Sequence, residues 1–274
     1  PDALYRGRGD LTFEKVDLPS QTNPLTLEMS PLLAGVGRAA YGVAAGDYDD
    51  DGDLDIFVNN YGAGRPALGS PPRYWDHNLL WRNEGEMRFV NTATLAGVHA
   101  TERGIGGVQM ESPVRLNNRT FPGPIGGNGF GCQWMDFDND TDLDLIVGTI
   151  AHPDYRQSDR TLLHVNQGPP DYTFTEESQQ RGLDYYEDEL HPMMIDVDND
   201  GRLDLAMSRL RGGSKWRLYF QTEDHRFAMQ AVADTGVDIT RPGPTLWLDA
   251  DDDGDLDFFM AKGRGRWFEN QVGQ

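Results

Sequence analysis

The chain of 274 residues has few cysteines, no long apolar run and no excess of basic charge. Its single cysteine, Cys132, excludes an internal disulfide framework but leaves the redox compartment open. No stretch approaches the roughly 18 apolar residues of a membrane-spanning helix, so we expect no membrane insertion. With 45 acidic against 24 basic residues, a net charge of −21, the sequence offers no basic surface for nucleic acid.

Long stretches of helical periodicity are also scarce. The chain contains 32 glycines and 16 prolines, and its apolar stretches are short, which favours strands joined by turns. One large all-β domain over residues 1–274 fits this length. The chain begins at Pro1 with no charged and apolar leader, so we expect a processed or excised segment of a longer protein.

The organisation of the chain rests on a nine-residue repeat. Its four copies are DYDDDGDLD at 47–55, DFDNDTDLD at 136–144, DVDNDGRLD at 196–204 and DADDDGDLD at 249–257. Their starts are 89, 60 and 53 residues apart. Repeats at such spacing indicate a structure built from similar units.

The segments around each copy predict four short strands per unit. Apolar stretches flank every copy, so each copy should join two buried strands. A second hairpin is predicted further along, at 79–90, 162–174 and 216–229. Four-stranded units at this spacing are typical of the blades of an all-β β-propeller, in which each sheet covers its neighbour.

The repeated loop predicts a calcium site. Aspartate occupies positions 1, 3, 5 and 9, and Ca²⁺ accepts 6–8 oxygen ligands from carboxylates, backbone carbonyls and water. Position 6 is glycine except for Thr141, so we expect the second site to be weakened. One such run alone is as readily a solvated turn, but four copies in the same context favour metal. An EF-hand is excluded, because position 12 is an apolar residue where that loop needs glutamate.

The sequence GDYDDDGDLDIFV followed by NLLWRNEGEMRFVNTATLAGV resembles the FG-GAP/VCBS repeat of integrin-α-type β-propellers, in particular the branch found with ASPIC/UnbV-type extracellular proteins. The resemblance implies an extracellular, cell-surface or periplasmic protein with about four Ca²⁺ ions, each held between the first two strands of a blade. The implied side-chain ligands are Asp47, Asp49, Asp51 and Asp55; Asp136, Asp138, Asp140 and Asp144; Asp196, Asp198, Asp200 and Asp204; and Asp249, Asp251, Asp253 and Asp257. The implied backbone-carbonyl ligands at position 7 are Asp53, Asp142, Arg202 and Asp255.

Both ends of the chain match parts of a blade. Residues 4–16 match an outer hairpin, and the last residues stop within a predicted third strand. Completion of the last blade by the N-terminal strand would give a ring of four blades and remove exposed strand edges. A five-bladed ring, or an excerpt of a larger propeller, stays open.

Two connections and one tripeptide are further candidates for binding. An insertion at about 97–129 and an extended segment at 61–77, which carries Arg65, Arg73, Tyr74 and Trp75, could serve as binding loops or as plain surface connections. Arg8-Gly9-Asp10 spells an integrin-recognition tripeptide, but glycine and aspartate at a hairpin turn are ordinary turn formers.

The predicted function is non-catalytic: a calcium-stabilised module for protein binding, assembly or cell adhesion. The alternative is a carbohydrate-binding lectin or a lyase-type, polysaccharide-processing propeller. A catalytic site for the alternative could be assembled from His152, Tyr155, Arg156 and His191, although nothing in the sequence selects that set. An enzyme is therefore the less favoured class.

Overall fold

The computed structural model describes residues 4–16, 39–61, 78–98, 114–116, 119–121, 129–149, 161–183, 189–209, 216–231, 235–237, 242–261 and 263–270. These residues form strands and turns, together with the one-turn helix α1 (Ala93–Ala96). Within these ranges, no helix is long and apolar enough to cross a membrane. The all-β prediction is therefore confirmed.

Fifteen of the described strands group into four consecutive antiparallel units, here named blades A to D; one residue pair at the strand ends, Thr149 with Glu189, also joins blades B and C. Blade A contains β3 (Ala39–Gly46), β4 (Asp55–Tyr61), β5 (Leu79–Asn83) and β6 (Phe89–Asn91). Blade B contains β9 (Gly129–Met135), β10 (Asp144–Thr149), β11 (Leu162–Asn166) and β12 (Phe174–Glu176). Blade C contains β13 (Glu189–Ile195), β14 (Asp204–Arg209), β15 (Arg217–Gln221) and β16 (Phe227–Met229). Blade D contains β17 (Thr245–Leu248), β18 (Asp257–Met260) and β19 (Arg266–Phe268).

Apolar cores lie between successive blades. Because side chains alternate along a strand, each sheet has an upstream face toward the preceding blade and a downstream face toward the next. Phe57 and Leu80 of blade A pack with Trp134 and Leu145 of blade B. Two further clusters of the same kind join blades B and C and blades C and D. The sheets of blades B and C are thus covered on both faces, which is the packing of a β-propeller.

The N-terminal hairpin is a separate element. Strands β1 (Leu4–Gly7) and β2 (Phe13–Val16) pair only with each other in the described part of the chain. Leu4 packs on the upstream face of blade A, against the cluster of Val58, Leu79 and Trp81. The favoured closure, in which the N-terminal strand completes the last blade, is not formed in the described residues, because neither strand of this hairpin pairs with a strand of blade D.

The insertion contains a short hairpin of its own. Strands β7 (Val114–Leu116) and β8 (Arg119–Phe121) pair antiparallel within the segment predicted as a loop at about 97–129. Most of that segment lies outside the described residues, as do Arg65, Arg73, Tyr74 and Trp75 of the extended segment. The binding roles considered for these two segments remain predictions.

Candidate metal centres

The four repeated loops connect the first and second strands of their blades, as predicted, and share one backbone conformation. Position 4 has a positive φ in every copy, between 54° and 62°, at Asp50, Asn139, Asn199 and Asp252. Position 6 also has a positive φ: 90°, 85° and 94° at the three glycines and 80° at Thr141. Thr141 therefore adopts a conformation that costs a β-branched residue free energy.

The position 1 aspartate holds the tip of each loop. In the first loop, Asp47 Oδ1 accepts a hydrogen bond from the Asp51 N–H at 3.1 Å, and its Oδ2 accepts one from the Gly52 N–H at 2.9 Å. The other three loops repeat both bonds. Position 5 then accepts a bond from the N–H of position 7. These bonds, all within one loop, hold its tip together.

The position 9 aspartate fastens the loop to the rest of its blade. Asp55 Oδ2 accepts from the Tyr48 N–H at 3.1 Å, and Asp55 Oδ1 accepts from the Asn83 N–H, at the end of the third strand, at 2.8 Å. Asp144, Asp204 and Asp257 make the same two bonds in blades B to D. All four carboxylates are buried. Sequence reasoning assigned this residue to the metal alone and missed its structural role.

Three loops bring carboxylate oxygens of positions 1, 3 and 9 within 4.8 Å of one another: Asp47, Asp49 and Asp55; Asp136, Asp138 and Asp144; and Asp196, Asp198 and Asp204. In each of these groups, the position 3 oxygen, in Asp49, Asp138 and Asp198, is buried without a hydrogen-bond partner. A buried carboxylate oxygen without a partner is unfavourable unless a cation completes it. These groups therefore fit a hard metal ion.

The remaining predicted ligands are placed less uniformly. In blade D the grouped residues are Asp249, Asp251 and Asp253, which are positions 1, 3 and 5 and are exposed. Position 5 of the other three loops lies outside the group of three, and its Oδ1 is occupied by the position 7 N–H. Ligation by position 5 in those loops and by the position 7 carbonyls remains a prediction.

Burial raises the pKa values of the carboxyl groups at positions 3 and 9 in blades A to C. Loss of solvation raises the pKa of Asp55 to about 7, of Asp144 to about 8 and of Asp204 to about 7, against the bonds from backbone N–H groups that lower it. Desolvation, followed by repulsion from the other loop aspartates, also raises the pKa of Asp49. Negative charge in these loops is costly, and a cation would relieve that cost.

Basic side chains lie next to three of the loops. Arg82 approaches Asp49 at 3.9 Å, and Arg181 approaches Asp138 at 3.7 Å. In the third loop, the guanidinium of Arg202 contacts Asp200, two positions earlier. The arginines offset part of the clustered charge, but none of these contacts provides a partner for the buried oxygens of position 3.

In blades B to D, a polar residue at or just after the end of the third strand links neighbouring loops. The side-chain amide of Asn166 in blade B donates to the Leu143 carbonyl of its own loop at 3.2 Å and to the Tyr48 carbonyl of the blade A loop at 3.0 Å. Gln221 makes the equivalent pair of bonds to Leu203 and Phe137, and Asn270 reaches the Val197 carbonyl. The recurring Asn or Gln was the sequence signal for this role, which the sequence analysis did not use.

The other candidate residues do not form a second site in the described part of the chain. His191 packs edge-on against Phe130, with ring centres 5.1 Å apart, and burial lowers its pKa. The residues grouped with it in the lyase alternative, His152, Tyr155 and Arg156, lie outside the described residues. In the N-terminal turn, Arg8 binds Glu14 and Asp10 accepts from Thr12, as expected for turn formers.

Comparison with known proteins shows similarity but no family membership. No family model matches the chain. Cartilage acidic protein 1 of Xenopus tropicalis is 24% identical over 221 residues, which cover 76% of this chain and 25% of that protein. The chain thus spans about a quarter of the length of this curated relative. The crystal structure of rhamnogalacturonan lyase YesW is similar with 13% identity and a TM-score of 0.43, covering 92% of this chain and 44% of that one.

Proposed function

We propose that this chain is a calcium-stabilised β-propeller of the FG-GAP/VCBS type that acts outside the cell, without catalysis, as a protein-binding or assembly module. The observation that carries the calcium role is the buried, unpartnered oxygen that recurs at position 3 in Asp49, Asp138 and Asp198. The name of the curated relative, an acidic protein of cartilage, is compatible with an extracellular setting.

The aspartates at positions 1, 3 and 9 would hold the ion in blades A to C. Bound Ca²⁺ would neutralise the clustered carboxylates and supply the missing partner of the position 3 oxygen. The position 9 aspartate ties the loop to the third strand through the Asn83 N–H, and Asn166 ties that loop to the next blade. A loop ordered in this way fixes the inner hairpin and the junction between two blades, so that surface connections are presented from a rigid body.

Removal of calcium tests the stabilising role. Because a ligand that binds only the folded state stabilises it, chelation should lower the melting temperature by at least about 5 °C, and added Ca²⁺ should restore it. Mg²⁺ at equal concentration is the control and should restore less, because it requires a stricter octahedral geometry. A melting curve that does not change after verified metal removal would contradict the calcium role.

The partner class needs a separate test. A glycan array combined with a polysaccharide turnover assay on the calcium-loaded protein should give neither binding nor turnover. Turnover would contradict the non-catalytic role, and glycan binding without turnover would replace the protein-binding role by that of a lectin. Both assays leave the calcium result untouched, so the two parts of the proposal fail separately.

A further inference from the structure

The downstream face of blade D is built like an interface between blades but is exposed. The second and third strands of blades A to C place apolar residues there that are at most 6% exposed: Phe57 and Leu80, Ile146 and Leu163, and Ala206 and Leu218. The same positions in blade D are Phe259, 37% exposed, and Trp267, 46% exposed. Phe259 and Trp267 lie opposite each other on β18 and β19. Leu246, which is 62% exposed, lies opposite Phe259 on the first strand, β17.

The N-terminal hairpin shows the complementary exposed face. Its turn repeats that of the outer hairpin of blade A: Arg8 N–H donates to Thr12 O as Glu84 N–H donates to Arg88 O. Tyr5 and Phe13 then correspond to Trp81 and Phe89. Trp81 and Phe89 are 2% and 6% exposed, whereas Tyr5 and Phe13 are 57% and 68% exposed.

At each junction whose third and fourth strands are both described, one pairing of residues recurs within the apolar cluster. The apolar residue of a third strand shares a cluster with the phenylalanine that begins the fourth strand of the following blade. The pairs are Leu4 with Phe89, Leu80 with Phe174, and Leu163 with Phe227. Within the described ranges, no blade follows blade D to supply a fourth-strand phenylalanine for Trp267. Likewise, no blade precedes the N-terminal hairpin to supply a third-strand residue for Phe13. Each end of the array therefore carries one half of a pairing that recurs in three clusters.

We propose that these two ends bind each other between copies of this chain. Phe259 and Trp267 of one copy pack against Tyr5 and Phe13 of the next, head to tail. Both surfaces are exposed in the same chain, so a single copy does not satisfy them. This contact rests on the assembly role proposed above and names the partner as a second copy. A head-to-tail contact produces a closed ring or a filament, depending on the rotation between copies.

Association is measured by sedimentation velocity and light scattering on the calcium-loaded chain, up to about 100 μM, a concentration that detects even weak association. The wild-type chain should form oligomers that grow with concentration. Trp267→Glu and Phe13→Glu should each weaken self-association by at least about tenfold. An equimolar mixture should form a one-to-one dimer and nothing larger, because each variant retains one intact end.

Leu95→Glu is the control, since Leu95 is 68% exposed but lies on helix α1, outside both ends. It should assemble like the wild type. Circular dichroism and calcium-dependent melting of each variant establish that it folds and separate a failure of assembly from a failure of the calcium role. The proposal is overturned if the wild-type chain stays monomeric, if Phe13→Glu self-associates normally, or if the mixture forms no dimer.

Discussion

At the scale of single residues, the aspartates of one loop have different roles although they look equivalent in the repeat. Asp55 is buried and accepts two backbone hydrogen bonds, so it is part of the fold. Asp49 presents a buried oxygen without a partner, so it is suited to a metal ion. The two residues should respond differently to substitution.

Asp49→Asn and Asp55→Ala test this difference. Asp49→Asn should remove most of the calcium-dependent gain in stability contributed by the first loop and leave the metal-free protein at least as stable, because one clustered charge is lost. Asp55→Ala leaves the Tyr48 and Asn83 N–H groups unpaired and should cost about 2–4 kcal/mol in chelator, and more in Ca²⁺, because it also removes a proposed ligand. Denaturant unfolding in Ca²⁺ and in chelator measures both. Equal losses for the two variants in chelator would contradict the assignment.

Thr141 gives a second prediction at this scale. It is the one position 6 residue that is not glycine, and its φ of 80° is strained for a β-branched side chain. Thr141→Gly should therefore stabilise the protein by about 1 kcal/mol, and Gly201→Thr in the third loop should destabilise it by a similar amount. Thermal unfolding of both variants measures the effect. Destabilisation by Thr141→Gly would show that the threonine side chain contributes more than its backbone strain costs.

At the scale of elements, a blade is stabilised through its neighbours as much as through its own strands. Asn166 ends β11 and bonds carbonyls of two loops in two blades. Gln133 of β9 similarly exchanges two hydrogen bonds with Met194 of β13, at 2.9 and 3.2 Å. Loss of one such amide should therefore affect the adjacent blade as well as its own.

Asn166→Ala should cost about 1–3 kcal/mol, because it leaves the Tyr48 and Leu143 carbonyls without their donor. Hydrogen exchange should become faster in the loops at 47–55 and 136–144 together. Gln167→Ala is the matched control, since among the described residues the Gln167 side-chain amide donates only to the Val165 carbonyl, in β11 of its own blade. Faster exchange confined to the loop at 136–144 would argue against coupling between the blades.

At the scale of the whole molecule, the proposed sites account for most of the acidic excess. The proposed side-chain ligands are 16 of the 45 acidic residues, and the other 29 face 24 basic residues. Four bound Ca²⁺ ions would change the net charge from −21 to −13. The acidity therefore predicts dependence on calcium more than it predicts a cationic partner.

The single cysteine offers a probe of the junction between blades A and B. Cys132 packs against the apolar cluster between these blades, and burial raises its thiol pKa to about 12. Its thiol should react slowly with alkylating reagents at neutral pH, because reaction requires the thiolate and an open junction. Chelation of calcium should accelerate labelling several-fold, as followed by mass spectrometry of the intact chain. Equal rates with and without calcium would indicate that the metal does not stabilise this junction.

The repeated units and their loops could be predicted from the local sequence. An apolar stretch on each side of every aspartate-rich repeat suffices to predict two paired strands, because strand periodicity and turn chemistry are local properties. The outer hairpins at 79–90, 162–174 and 216–229 were predicted for the same reason and are present.

The way in which these units are joined depends on contacts that the local sequence does not contain. The bond from Asn83 to Asp55, the amide of Asn166 between two loops and the position of the hairpin at Leu4 beside blade A all involve residues that are distant in sequence. The exposure of Phe13 and Trp267, against the burial of their counterparts in other blades, is likewise visible only when the blades are stacked. Packing between blades depends on which face of each sheet lies against another sheet, and a local sequence pattern does not contain that information.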